Sequence, residues 1–351
     1  MRADRARRFG GLIGILGLLA GCASISPSAQ DLLRRWPVDR APRLELETVA
    51  FRPQVERDHC GPSALATVLA DFPSAPDPDA LAPELFVPQR AGTFQSEMLA
   101  AARRHGAVAV RLPATLDGLV DALLDGYAPV VLLNLGLQMA PRWHYAVVVG
   151  LDVTRREVVM RSGSERRVVM PLATFEHTWA RGGNWAFAVS HPGRLPAPVQ
   201  RAEAVDATLA FSRVALDPSL RSTTDPGSSG PDASRAAWSA LQARWPDDLT
   251  AVIGLSEGLM QRGRPEDRQR ARDLLEQTAR RTDRAVAWNN LADTLRQMGE
   301  LEAAAAAIAQ ALRVTEHQEP QWQAVVEQTR DEIEGERQLF QREAQRRTQS
   351  R

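Results

Sequence analysis

Hydrophobic and polar positions divide the chain into regimes of different period. Residues 10–20 form an almost unbroken apolar run behind Arg2, Arg5, Arg7 and Arg8. From about residue 44 to 191 the pattern mixes two periods. Apolar positions recurring three and four apart predict helices from Cys60 to Leu69, over 95–105 and over 116–124. Short β-branched runs predict strands over 130–135, 144–151, 158–161, 168–170 and 185–190, with turn signals at 152–156 and 162–166. Residues 192–232 carry Pro192, Pro196, Pro198 and the stretch DPGSSGPDAS, which predicts an interdomain linker with one helix around 204–214. From 233 onward the period is helical throughout.

One helical segment, residues 285–313, resembles a tetratricopeptide repeat. Trp288, Leu291, Ala292, Leu295, Gly299, Ala304, Ile308 and Ala311 fall on that family's spacing, with small residues where two helices cross closely. Leu255, Leu259, Gly263, Ala271, Leu275 and Thr278 repeat the pattern upstream, and a half-repeat spans 236–246. The resemblance implies a repeat domain over 233–318, closed by a capping helix over 319–351, that binds a protein partner.

The apolar run at the N-terminus is too short to span a bilayer and reads as the core of a signal peptide. Its end, Leu19-Ala20-Gly21-Cys22, resembles the bacterial lipobox, in which the leader is cut before a cysteine that carries the lipid. The expectation is a leader over 1–21, a lipid on Cys22 and a tether over 22–43. Ala23 after the cysteine implies an outer-membrane anchor facing the periplasm.

Composition narrows the classes. With 43 basic and 43 acidic residues the formal charge is zero, and every basic residue is arginine. No basic excess exists to displace phosphate counterions, which argues against nucleic acid as a partner. Cys22 and Cys60 are the only cysteines, excluding a disulfide framework and a cysteine-rich zinc site. His105, His177, His191 and His317 lack partners at ligand spacing, so neither metal nor cofactor is expected. Trp143 and Trp179 read as core residues.

The segment Gln54-Val55-Glu56-Arg57-Asp58-His59-Cys60-Gly61-Pro62-Ser63 carries the most chemistry. A cysteine opening a helix sits beside the positive end of the helix dipole, which favours the thiolate. A glutamine six residues earlier can join the cysteine N–H as an oxyanion donor. His144 opens the strand His144-Tyr145-Ala146-Val147-Val148-Val149 and is the candidate base. Cys-Gly-Pro followed by His-Tyr-x-Val-Val-Val resembles the bacteriocin-processing peptidases, papain-like domains that cut leader peptides. The stretches Gly92-Thr93…Met98-Leu99-Ala100 and Gly126…Pro129-Val130-Val131 match the same layout.

The resemblance covers residues 44–191 and implies Cys60 as nucleophile, His144 as general base then acid, and Gln54 as oxyanion donor on a peptide or protein substrate. That family places an aspartate at the end of the strand after the histidine, where this chain reads Val158-Val159-Met160-Arg161-Ser162-Gly163. Asp152, Asn184 and Ser162 are the substitutes. The expected fold is an α+β papain-like domain followed by an all-α tetratricopeptide-repeat domain. Two other readings stand beside the peptidase: a catalytically inactive scaffold that binds peptides, and a cell-wall amidase or transferase. The latter family's Asp-Cys-Ser motif is missing here.

Overall fold

The computed structural model describes residues 26–87, 92–221 and 230–349. The expected leader and Cys22 lie outside them. The chain divides at Gly230/Pro231 into two compact units.

The first unit is built on a seven-stranded antiparallel sheet. Its strands are β1 (Arg43–Glu45), β4 (Val108–Arg111), β5 (Val130–Asn134), β6 (Trp143–Asp152), β7 (Glu157–Ser162), β8 (Glu165–Pro171) and β9 (Ala186–Ser190). The order is β4-β9-β5-β6-β7-β8, and β1 pairs with the far half of β6. A separate hairpin joins β2 (Phe86–Val87) to β3 (Gly92–Thr93).

Helices cover both faces, so the central strand is apolar on both sides. Tyr145, Val147 and Val149 pack with Leu65 of α2 (Cys60–Val68), Leu81 of α3 (Pro78–Leu85) and Met98 of α4 (Gln95–Arg104). Ala146, Val148 and Leu151 pack on the other face with Leu119 of α5 (Leu116–Leu124) and Phe175 of α6 (Leu172–Arg181). The change from even to odd numbers on that face comes from a register shift between Val148 and Gly150. One extra residue reverses which way every later side chain points. Gly150 also lets β1 approach, since a Cβ there would lie 2.5 Å from the Leu44 carbonyl oxygen.

Two stretches expected to be connectors belong to this unit. Residues 27–35 of the expected tether form helix α1 (Pro27–Arg35), capped by the Ser26 hydroxyl accepting from the Ala29 N–H at 3.1 Å. Ala29 and Leu32 are buried in the core. In the expected linker, α7 (Arg201–Leu216) packs on β4 and α4 and buries Ala204, Ala207, Phe211 and Ala215. Its buried stripe is mostly alanine, a weak hydrophobic signal, and this moves the boundary of the unit to Gly230.

The second unit is all-helical: α8 (Pro231–Arg244), α9 (Leu249–Arg262), α10 (Pro265–Thr282), α11 (Ala285–Gln297), α12 (Leu301–His317) and α13 (Gln323–Gln349). Each helix packs on its neighbours in sequence, and Leu275, Leu291, Leu295, Ile308, Val326 and Ile333 share one core. The α11–α12 turn ends at Gly299, whose φ of +78° suits glycine. No helix among the described residues is long and apolar enough to cross a membrane.

Candidate active site

Cys60 is the first residue of α2. Pro62 lies in the first turn, where a missing N–H costs no helical bond, leaving the N–H groups of Cys60 and Gly61 as the free donors of the helix start. The approach to the helix is stitched down by Ser63 Oγ donating to Arg52 O at 2.5 Å and Arg52 N donating to Thr67 Oγ1 at 3.1 Å. Gly61 is needed for packing, because a Cβ would sit 2.6 Å from Thr93 Oγ1 and 2.8 Å from its Cβ. Thr93 is in turn held by its carbonyl, which accepts from the Tyr145 hydroxyl at 3.2 Å.

Cys60 and His144 line one cleft of about 1280 Å³, together with Gln54, Thr93, Phe94, Trp143 and Tyr145. No hydrogen bond joins the two among the described residues. The backbone N–H of Tyr145, next to His144 in the chain, points at the Cys60 sulfur, as do those of Gly61 and Cys60 itself. Burial nonetheless dominates and pushes the thiol above its ordinary pKa, and Asp58 adds to the rise. The sequence-based expectation of a depressed thiol pKa is therefore reversed. The helix N-terminus contributes, but desolvation is larger.

His144 is neutral as well. Burial, with a smaller push from Arg142, lowers its pKa to about 4. Its Nε2 lies 2.8 Å from Ser162 Oγ at the end of β7. That contact leaves Nδ1 as the ring nitrogen for proton transfer. Ser162 thus occupies the place where the resembling family carries an aspartate.

The remaining candidates fall differently. Gln54 lines the cleft, but its amide donates to Glu56 O at 2.8 Å and Arg57 O at 2.6 Å, within its own loop. Its backbone N–H donates to Gly163 O at 2.9 Å, tying the loop to the β7–β8 turn beside Ser162. Asp152 does not reach the site. It ends β6 eight residues from His144, about 26 Å along an extended strand, and accepts from Arg155 N at 2.8 Å. Asn184 sits in a left-handed turn at φ +50° and is not part of the cleft wall. Trp143, expected in the core, is 54% exposed on the cleft rim, whereas Trp179 is buried as expected.

Pattern reading missed the far wall. Arg181 ends α6 and donates through Nη2 to Asn134 O at 3.0 Å. Gly182 follows, where a side chain would collide with the Leu132 carbonyl, and Gly183 adopts φ +73°. The Gly182-Gly183 pair was the only sequence signal for this close approach. Among the described residues no group of three or more His, Cys, Asp or Glu side chains could hold a metal ion.

No family model matches the chain, and no curated protein matches it. Among solved structures, a candidate C39-like peptidase from Bacillus anthracis is similar over 42% of this chain and 97% of its own, with 18% identity and a TM-score of 0.36.

Proposed function

We propose that the first unit is a papain-like cysteine peptidase of the bacteriocin-processing type, carried by a bacterial lipoprotein anchored through Cys22, and that the helical unit is a tetratricopeptide array that engages a partner or substrate. The observation carrying the catalytic reading is the shared cleft: a cysteine at a helix start and a histidine whose Nε2 is held by Ser162, with Nδ1 left to act. The thiol proton passes to His144 Nδ1 as Sγ attacks the peptide carbonyl. The N–H groups of Cys60 and Gly61 receive the oxyanion. His144 then protonates the leaving amine, and water hydrolyses the thioester. The anchor and the repeats rest on the lipobox and on the repeat spacing, whose positions 291, 292, 295, 304, 308 and 311 are buried.

The test is covalent labelling of Cys60 by peptidyl acyloxymethyl ketones, read by intact mass at pH 7.5. Labelling should be saturable and should fall at least tenfold in His144→Ala. Equal rates in both proteins defeat the peptidase reading. They would favour a second one, an inactive peptidase-like scaffold that binds peptides. The neutral Ser162 partner of His144 and the inward-turned Gln54 amide favour that second reading.

A further inference from the structure

The connection between β5 and β6, residues 135–142, is a braced loop that holds apolar side chains out in solvent. Asn134, itself buried, accepts through Oδ1 from the Gly136 N–H at 3.0 Å and the Arg142 N–H at 2.9 Å. Leu135 N donates to Arg142 O at 2.9 Å, and Ala140 N closes the tip onto Leu137 O at 3.1 Å. A side chain at Gly136 would collide with the Ala140 carbonyl, so the tight return needs that glycine. On this hydrogen-bonded backbone Leu137 is 73% exposed and Met139 95%, with Trp143 half-exposed just past the loop. Residues 134–143 contain no acidic side chain, and their one charge is the exposed Arg142.

Pro141, Arg142 and Trp143 line the Cys60–His144 cleft, but Leu137 and Met139 do not. The apolar pair is therefore not offered to a polypeptide bound in that cleft. A loop of this length also presents far less than the roughly 800 Å² that each partner buries in a specific protein interface. The chain itself brings a different surface close. Ser26 N donates to Glu176 Oε2 at 3.2 Å, seating the start of α1 on α6, while Ala29 and Leu32 fix the helix in the core. From Glu176 to Arg181 helix α6 rises only about 7.5 Å, and Arg181 donates to Asn134 O at the root of the loop. Cys22 precedes Ser26 by four residues, a reach of about 14 Å at most. A lipid on Cys22 thus holds a bilayer beside the loop. We propose that residues 135–143 dock on a phospholipid surface, with Leu137 and Met139 among the acyl chains, Trp143 at headgroup level and Arg142 toward the lipid phosphates. The choice of a bilayer rests on the lipoprotein reading of Cys22, and docking puts the mouth of the cleft at the lipid surface.

Fluorescence quenching tests it on the full chain in phosphatidylcholine–phosphatidylglycerol vesicles carrying 5-doxyl phosphatidylcholine. A nitrobenzoxadiazole dye is attached through Met139→Cys or, as a control at the opposite end of β6, through Arg155→Cys. Both are made in Cys60→Ala and read against that parent, which keeps the test independent of the peptidase reading. The dye at 139 should be quenched at least threefold more strongly than the dye at 155, with its emission shifted to the blue. Leu137→Glu, at an exposed position, should weaken the quenching at 139 at least threefold. Equal quenching at the two sites, or undiminished quenching in Leu137→Glu, overturns the proposal. So does emission at 139 that follows protein concentration instead of lipid, which assigns the loop to a second copy, or that shifts only on adding a peptide. Mass spectrometry of the N-terminal peptide from the same samples separates the two readings. Quenching at 139 with an unmodified Cys22 upholds the docking loop and refutes the anchor, whereas a lipidated Cys22 with no excess quenching at 139 refutes the loop alone.

Discussion

Ser162 Oγ lies 2.8 Å from Nε2 of His144, at the strand end where the peptidase family that the sequence resembles carries a carboxylate. The substitution has two electrostatic consequences. A carboxylate only accepts, so it forces the proton onto Nε2 and keeps Nδ1 basic, whereas a hydroxyl accepts or donates and selects the tautomer weakly. A carboxylate also stabilises the imidazolium that forms during catalysis. Ser162 carries no charge, and burial holds His144 at about 4. Ser162→Asp should therefore raise the His144 pKa by more than one unit, measured by histidine NMR titration, and speed Cys60 labelling by acyloxymethyl ketones about tenfold or more. Ser162→Ala should slow labelling about tenfold with the fold intact by circular dichroism. Orientation losses at a triad reach about four orders of magnitude when a carboxylate is removed, and a hydroxyl has less to lose.

The resting pair is thiol and imidazole, not thiolate and imidazolium. Iodoacetamide should then react with Cys60 along a single alkaline rise whose midpoint lies above roughly 8.5, the free-thiol value, with no shoulder at neutral pH. A shoulder between pH 4 and 7, lost in His144→Ala, would mean an ion pair and contradict this electrostatic picture.

Stability carries the same signature. His144 has a pKa of about 4 folded against roughly 6.5 unfolded, so between those values the unfolded chain binds more protons. Stability must rise with pH across that window. His144→Gln should flatten the rise, as read from urea midpoints of the first unit at pH 4.5 and pH 6.5. An unchanged pH slope would show that the imidazole is not desolvated.

Much of this unit was legible from pattern alone, because the strands at 130–134, 143–152 and 186–190 are Val- and Ala-rich runs that a helix-covered sheet demands. The positions of the candidate nucleophile and base were legible for the same reason: Cys60 opens a helix that Pro62 tolerates, and His144 lies at the start of the central strand. What pattern could not supply was geometry across the chain. Asp152 was the available carboxylate, but a ten-residue strand carries it to the wrong end of the sheet. Gln54 has the right spacing, yet its loop turns the amide back on Glu56 and Arg57. The Val148–Gly150 register shift leaves no compositional mark beyond one glycine.

Gly61 shows how tightly helix α2 is seated. Gly61→Ala would place a methyl 2.6 Å from Thr93 Oγ1, and overpacking of this kind costs about 1–3 kcal/mol. The strain should be relieved by giving Thr93 less bulk. In a double-mutant cycle by urea denaturation, Thr93→Gly should recover at least half of the loss in the Gly61→Ala background while destabilising the parent protein. Additive losses would place the clash elsewhere.

Helix α1 makes the last case, since its residues look like a tether and behave like core. Pro27, Ser28 and Arg34-Arg35 give the stretch a polar, punctuated character that hides its two anchors. Leu32 is 7% exposed and packs in the cluster that contains Leu119 and Phe175. Truncating it should cost about 2–4 kcal/mol, a lost transfer energy plus a cavity. Leu33, its half-buried neighbour, should cost less when truncated. Leu32→Ala should therefore lower the urea midpoint of the first unit clearly more than Leu33→Ala, while leaving the helical unit's transition in place. If Leu32→Ala unfolds at the parental midpoint, residues 27–35 act as a spacer and the tether reading returns.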